Sequence, residues 1–316
     1  MLAFFKPMFY YFGFGINIKS EIEFPELVET ERSDSSLMIR IGTIPEISGG
    51  ISFSSSDFTY VIQNNEFLFT VNNVAKYYAK NGNEIIVEIL NPEVDGRSIR
   101  LYILATVMAA ILLQKNKLPF HASAIIRDNN LLLISGESGA GKSTLLASLI
   151  NNGHTVFCDD ILVLSRSLSN SKIIATASYP MIKLWEDSIE KLNNAQFSNR
   201  SFRIRHDLNK YGFFFHNTFD KRSYPIEKII ILKKGNQTQF VLNKIKDTEA
   251  FIAVSKQIYR PFLIQSIENK TLSFKLISDL ISNVDVLEIT RPVDSKPKDL
   301  LEFIESNLRL RSSIVK

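Results

Sequence analysis

The chain has 316 residues, of which 45% are hydrophobic and 22% are charged, and its formal net charge is +4. These proportions are ordinary for a globular protein and exclude a long disordered chain. Because the net charge is small and no long block of like charges occurs, we expect no nucleic-acid partner. Cys158 is the only cysteine, which excludes an intrachain disulfide and favours a cytoplasmic protein.

The first part of the chain predicts a β-rich domain over residues 1–97. Short apolar and aromatic runs follow one another there, separated by turn signals such as Gly49-Gly50 and Asn91-Pro92. The stretch over 98–115 then predicts a mostly buried helix. This helix begins the second predicted domain, over 98–316, and connects it to the first. Its most apolar part, 101–113, is shorter than the ~20 residues needed to span a bilayer, so we expect no membrane partner.

Strands alternate with helices in the second domain, which indicates an α/β layer structure. A strand over 120–126, a short turn and a strand over 131–135 predict an antiparallel hairpin. A helix follows over 142–152 and a short strand over 154–158. The remaining predicted elements are strands over 226–232 and 284–289 and helices over 248–258, 271–281 and 298–308.

The strongest motif lies between the hairpin and the helix after it. Its residues are Gly136, Glu137, Ser138, Gly139, Ala140, Gly141, Lys142, Ser143 and Thr144. The glycines let the backbone bend so that amide groups and the start of the helix can bind phosphate. Lys142 is expected to reach the outer phosphates, and Ser143 is expected to bind Mg²⁺. The motif therefore predicts a P-loop that uses ATP and Mg²⁺.

Two acids and a histidine are the next candidates. Asp159 and Asp160 end the short strand that follows the P-loop helix, where one carboxylate can bind Mg²⁺ and the other can accept a proton from an attacking hydroxyl. His121 opens a strand paired with the one that enters the P-loop, so we expect it beside the nucleotide. A turn-capping pair of acids and a structural histidine are the alternatives.

Four basic side chains are candidates for contacts with phosphate or substrate: Lys183, Arg203, Arg205 and Arg260. Arg203 and Arg205 alternate with Ile204 on an extended segment, so they share one face. A solvated surface position is the alternative for each of them.

The segment Phe120-His121-Ala122-Ser123-Ala124, the P-loop and the double aspartate resemble the catalytic core of HPr kinase/phosphorylase. That bacterial family phosphorylates a serine of a small carrier protein, and its core is similar to phosphoenolpyruvate carboxykinase. The resemblance implies that Asp159 is the general base, that His121 contacts Asp159, and that Ser143 and Asp160 hold Mg²⁺.

A second resemblance lies in the segments 12–22, 25–27, 183–185 and 259–263. These resemble HPr-kinase-like proteins encoded with peptide-maturation enzymes, including lasso-peptide tailoring kinases. This resemblance implies phosphorylation of a serine at a peptide C-terminus.

The sequence thus predicts an α/β fold, with a P-loop core like that of HPr kinase and phosphoenolpyruvate carboxykinase and a β-rich N-terminal domain. The predicted reaction transfers the γ-phosphate of ATP to a serine hydroxyl of a peptide or small protein. A small-molecule kinase, for example one acting on free serine, and a non-catalytic nucleotide-binding regulator are the alternatives. Lys142, Asp159 and His121 together disfavour the regulator, because binding alone needs no proton acceptor. Self-association into a homo-oligomer stays open.

Overall fold

The computed structural model describes residues 7–47, 49–63, 65–169, 171–308 and 310. These residues form a mixed α/β structure with large sheets. They divide into two compact units: the first contains the chain up to Pro119 together with Arg260–Ser273, and the second contains Phe120–Tyr259 together with the chain from Phe274 onward. The outer ends of the two predicted domains, 1–6 and 311–316, lie outside the described residues.

The first unit contains one sheet. Its strands are β1 (Phe9–Gly13), β2 (Ile16–Ser20), β3 (Val28–Glu29), β4 (Leu37–Ile41), β5 (Ile51–Ser54), β6 (Phe58–Gln63), β7 (Glu66–Val71), β8 (Ala75–Lys80) and β9 (Glu84–Ile89). They are ordered β3-β1-β2-β4-β9-β8-β7-β6-β5. Phe14 and Gly15 both have positive φ, 56° and 68°, so the aromatic run at the start of the chain folds into a tight β1–β2 hairpin.

A continuous helical stretch follows this sheet. It consists of α1 (Gly96–Tyr102), a π-helical turn (Ile103–Val107) and α2 (Met108–Gln114), which confirms the predicted helix. By length and composition this stretch could cross a membrane, but 67% of its most apolar window is buried inside the protein. The Tyr77 hydroxyl donates to the Ile99 carbonyl and the Gln114 side chain accepts from the Gly82 amide, so the helix packs with the first unit. The first unit therefore extends past residue 97, to Pro119.

The rest of the chain alternates strands and helices. The strands are β10 (Leu118–Phe120), β11 (Ser123–Arg127), β12 (Asn130–Gly136), β13 (Thr155–Cys158), β14 (Leu162–Arg166), β15 (Ile173–Ala177), β16 (Met181–Trp185), β17 (Lys210–Phe214), β18 (Ser223–Gly235), β19 (Val241–Ile245) and β20 (Asp285–Pro292). The helices are α3 (Lys142–Asn151), α4 (Glu186–Leu192), α5 (Asp247–Ser255), α6 (Ile267–Asn283) and α7 (Pro297–Leu308).

The main sheet of the second unit runs in the order β14-β15-β18-β12-β11-β13, and β20 pairs with β18. The predicted hairpin is confirmed as β11–β12, with Asp128 and Asn129 at φ of 49° and 57° in its turn. β12 is parallel to β18, and β18 is parallel to β20. Leucines of α3 and α7 pack against the apolar side chains of β12 and β18 in one core. This packing fixes the start of α3 beside the end of β12.

β16 and β17 form a separate antiparallel ribbon. On one face, Ile182, Leu184 and Phe213 pack into the same core as α3. The sequence analysis did not predict this ribbon, because 24 residues (186–209) separate its strands and no hairpin turn links them.

Candidate functional site

A glycine-rich loop joins the end of β12 to the start of α3. Gly136, Gly139 and Gly141 have φ of 142°, 78° and 108°. A Cβ on Gly136 would lie 2.2 Å from the carbonyl oxygen of Leu232 on β18, so a side chain cannot fit there. The loop therefore needs glycine for its conformation and for its close approach to β18. A glycine-rich loop that ends at a helix N-terminus is a common arrangement for binding anions.

Lys142, the first residue of α3, folds back on this loop. Its Nζ donates to the carbonyl oxygens of Gly136 at 2.8 Å and Glu137 at 3.1 Å. Burial lowers the pKa of the Lys142 ammonium, and the carboxylates of Asp159 and Asp160 oppose this shift. The Lys142 ammonium is thus bound to the loop and lies close enough to the two acids for their charge to act on it.

Asp159 is buried and accepts three hydrogen bonds. Its Oδ1 accepts from the hydroxyl of Ser123 at 2.6 Å and from the hydroxyl of Ser143 at 3.0 Å. Its Oδ2 accepts from the backbone amide of Lys183 at 2.9 Å. These donors hold the carboxylate in a single orientation beside the first turn of α3.

Asp160 has a left-handed backbone, with φ of 72°, and faces a different set of partners. Nζ of Lys183 donates to its Oδ2 at 2.6 Å, and Nδ1 of His121 lies 3.5 Å from its Oδ1. Burial acts to raise the pKa of Asp160, but the charge of Lys183, together with that of His121 at the acidic pH where its ring is protonated, outweighs burial and holds this pKa well below its usual range. Burial acts to lower the pKa of Lys183, but Asp160 outweighs it and raises this pKa well above its usual value. Both groups are therefore charged at neutral pH.

His121 is held on Asp160 by its ring. Nδ1 lies 2.7 Å from the backbone carbonyl oxygen of Asp160. A carbonyl oxygen only accepts, so Nδ1 carries the proton and Nε2 keeps its lone pair. Burial lowers the pKa of His121 below its ordinary value although Asp160 opposes the shift, so the ring is neutral at pH 7.

These contacts exchange the two pairings that the family resemblance implies. Ser143 contacts Asp159, not Asp160, and His121 contacts Asp160 directly, not Asp159. Consecutive residues in extended chain point to opposite sides, and the left-handed backbone at Asp160 turns the chain further. Which acid faces which partner is therefore decided by the local backbone.

The four basic candidates lie in different places. Lys183 contacts both acids. Arg203 donates to the Leu208 carbonyl at 2.8 Å and to the Asn209 side chain. Arg205 pairs with Asp207 at 2.6 Å in the same exposed loop. Arg260 belongs to the first unit. Lys183 is therefore part of the group formed by Asp159 and Asp160.

Two residues at this site were missed by the sequence analysis. Ser123 lies within the segment that resembles the HPr kinase core, so its position two residues after His121 was the available signal. No sequence pattern indicated Gln257, because it lies just after α5 and 121 residues from its partner Gly136. Its Oε1 accepts from the Gly136 amide at 3.0 Å, and its backbone carbonyl accepts from the His121 amide at 2.7 Å. Gln257 therefore links the glycine-rich loop to the histidine.

The oxygen donors at this site are of the kind that Mg²⁺ prefers. The Ser143 hydroxyl and the Asp159 carboxylate lie together at the start of α3. Among the described residues, no group of three or more His, Cys, Asp or Glu side chains could hold a metal ion. Mg²⁺ in nucleotide sites commonly takes one or two carboxylates and completes its coordination with phosphate oxygens and water. The residues present fit a Mg²⁺ ion bound together with a nucleotide.

The chain is similar to solved structures. The HPr(Ser) kinase/phosphatase from Coxiella burnetii is similar to this chain at 18% sequence identity and a TM-score of 0.33, covering 60% of this chain and 88% of that one. No protein-family model and no curated protein matches the chain.

Proposed function

We propose that this chain is a Mg²⁺-dependent kinase that transfers the γ-phosphate of ATP to a serine hydroxyl of a peptide or protein. One observation carries the proposal. A lysine and a hydroxyl at the start of the helix after a glycine-rich loop lie with two carboxylates and a neutral histidine in one compact unit. Phosphoryl transfer needs little more from a protein than phosphate binding, charge neutralisation and a residue that orients the nucleophile.

The contacts support a division of roles between the two acids. Ser143 and Asp159 would hold Mg²⁺, because they contact each other beside the glycine-rich loop. Lys142 would leave the loop carbonyls and bind the outer phosphates. Bound Mg²⁺ would supply neutralisation of the phosphate charge. In this proposal Asp159 takes the metal role that the family resemblance gives to Asp160.

Asp160 and His121 would then act on the acceptor serine hydroxyl. His121 is 27% exposed in its side chain, is neutral, and keeps a lone pair on Nε2. The serine proton would pass to this nitrogen as the serine oxygen bonds to phosphorus and the bond from the γ-phosphorus to ADP breaks. The ionised Asp160 would stabilise the imidazolium that forms, and Lys183 keeps Asp160 ionised. A neutral imidazole can accept this proton as a general base.

The proposal also concerns which molecule carries the acceptor serine. The resemblance to the kinases of peptide-maturation clusters makes a lasso-peptide precursor with a C-terminal serine the first substrate to test. A carrier protein with an acceptor serine and free serine complete the panel, because they represent the other substrate classes.

The test is phosphate transfer from radiolabelled Mg²⁺·ATP to this panel by the wild-type chain and by Lys142→Ala. We expect transfer by the wild type and its loss in the variant, with the fold retained by circular dichroism. Lys191→Ala is the matched control, because Lys191 is an exposed lysine of α4 that pairs with Asp187. Turnover by folded Lys142→Ala at the wild-type rate would contradict the proposal, as would a wild type that does not bind Mg²⁺·ATP.

A further inference from the structure

A second lysine shares the face of the β16–β17 ribbon that carries Lys183. In the register of the ribbon, Lys183 lies opposite Gly212 and Trp185 lies opposite Lys210. Residues two apart in a strand share a face, so Lys210 lies diagonally across from Lys183 on the same face. This is the face away from the core, and from it Lys183 reaches Asp160.

Lys210 has an aromatic partner in place of an acid. Its Nζ lies 5.4 Å from the centre of the Trp185 ring, and this ring is 42% exposed. In the described part of the chain, no carboxylate lies within ion-pair distance of Lys210. A contact between a lysine and an aromatic face is weak enough to be exchanged for an anion that arrives from outside.

The face of the ribbon that carries Lys210 is the face that meets Asp160. Nζ of Lys183 donates to Asp160, and the backbone amide of Lys183 donates to Asp159. Lys210 therefore shares the face from which Lys183 meets Asp160, and Asp160 adjoins Asp159, the carboxylate proposed to hold Mg²⁺.

We infer that Lys210 binds the terminal phosphate of the nucleotide and exchanges its contact with Trp185 for that phosphate. The inference rests on the proposed function and adds a residue to it. Lys183 is already paired with Asp160, whereas Lys210 contacts the Trp185 ring, so a triphosphate can supply an anion for Lys210. A charge-assisted hydrogen bond to phosphate is stronger than an exposed cation–π contact, so the exchange is favourable.

The test compares the binding of Mg²⁺·ATP and Mg²⁺·ADP by calorimetry. Lys210→Met should weaken ATP by roughly 10- to 100-fold, as expected for a lost hydrogen bond to a charged group, and leave ADP within about twofold. Lys210→Arg should restore most of the ATP affinity, because it keeps the charge. Lys191→Met is the control for the loss of one positive charge and should bind both nucleotides like the wild type.

The fluorescence of Trp185 gives an independent readout, because this is the only tryptophan in the chain. Mg²⁺·ATP should change its emission in the wild type, and Lys210→Met should lose this change at nucleotide concentrations that saturate both proteins. Equal affinity of Lys210→Met and wild type for ATP would overturn the inference, and so would an equal loss for ATP and ADP. A wild type that binds neither nucleotide would instead overturn the proposed function.

Discussion

Replacing Lys183 with methionine should destabilise the second unit through the carboxylate of Asp160. The two side chains are 7% and 20% exposed, and their Nζ and Oδ2 atoms are 2.6 Å apart. Removing one partner of a buried ion pair costs about 3–5 kcal/mol, because the other charge stays buried without compensation. Since Asp160 keeps some contact with solvent and lies beside His121, we expect the lower end, about 3 kcal/mol.

A double-mutant cycle separates this pair from simple loss of packing. Asp160→Asn alone should also be costly, because it leaves the Lys183 ammonium buried. The double variant Lys183→Met/Asp160→Asn removes both charges and should be more stable than the sum of the single losses, by about 2 kcal/mol. The assay is urea unfolding in metal-free buffer, followed by the fluorescence of Trp185, which lies in the same unit. If the losses in unfolding free energy of the two single variants sum to that of the double variant within about 0.5 kcal/mol, the reasoning is refuted.

The pH dependence of the same pair has a definite sign. The pKa of Asp160 is lowered in the folded state. Its contribution to the stability of the fold is therefore present above the unfolded-state pKa of about 3.9 and is lost as the pH falls through the folded-state pKa. The pKa of Lys183 is raised, so its contribution is present below about 10.4 and is lost as the pH rises through the folded pKa. The stability gap between wild type and Lys183→Met should therefore be full near pH 7 and narrow below pH ~4, where Asp160 in the variant is protonated. A constant gap from pH 7 to pH 3 would contradict this account.

Two other predictions concern the division of roles and the support of the loop. Asp159→Asn should raise the Mg²⁺ concentration needed for transfer. Asp160→Asn removes the charge that stabilises the His121 imidazolium, so it should lower the single-turnover rate at saturating Mg²⁺ by up to the ~10²–10⁴-fold that general base catalysis provides. The reverse pattern would return the roles to those implied by the family resemblance. Gln257→Leu should leave the buried Gly136 amide without its acceptor, cost about 1–3 kcal/mol and weaken Mg²⁺·ATP binding. Gln265→Leu, in the first unit, is the control, and equal ATP affinity in both variants would show that Gln257 does not support the loop.

Local sequence patterns are enough to predict the elements whose causes are local. The β12–loop–α3 segment follows from an apolar run, glycines at positive φ and a helix-forming run, all within about 20 neighbouring residues. The β11–β12 hairpin follows from two apolar runs and a turn whose Asp128 and Asn129 accept a left-handed backbone. The long helical stretch before it follows from its composition. In each case the stabilising contacts join residues that are close in the chain, so the sequence pattern predicts the element.

Tertiary structure decided how the site residues are paired. Gln257 meets Gly136 across 121 positions of sequence, and Lys183 meets Asp159 and Asp160 from a ribbon with no local turn signal. Lys210 lies near this group through its register with Trp185, and a shift of one residue would move it to the opposite face. The identities of Asp159 and Asp160 were visible in the sequence, but two adjacent acids are chemically alike. Only the packed backbone, with a left-handed residue at Asp160, directs one carboxylate to Ser143 and the other to His121 and Lys183.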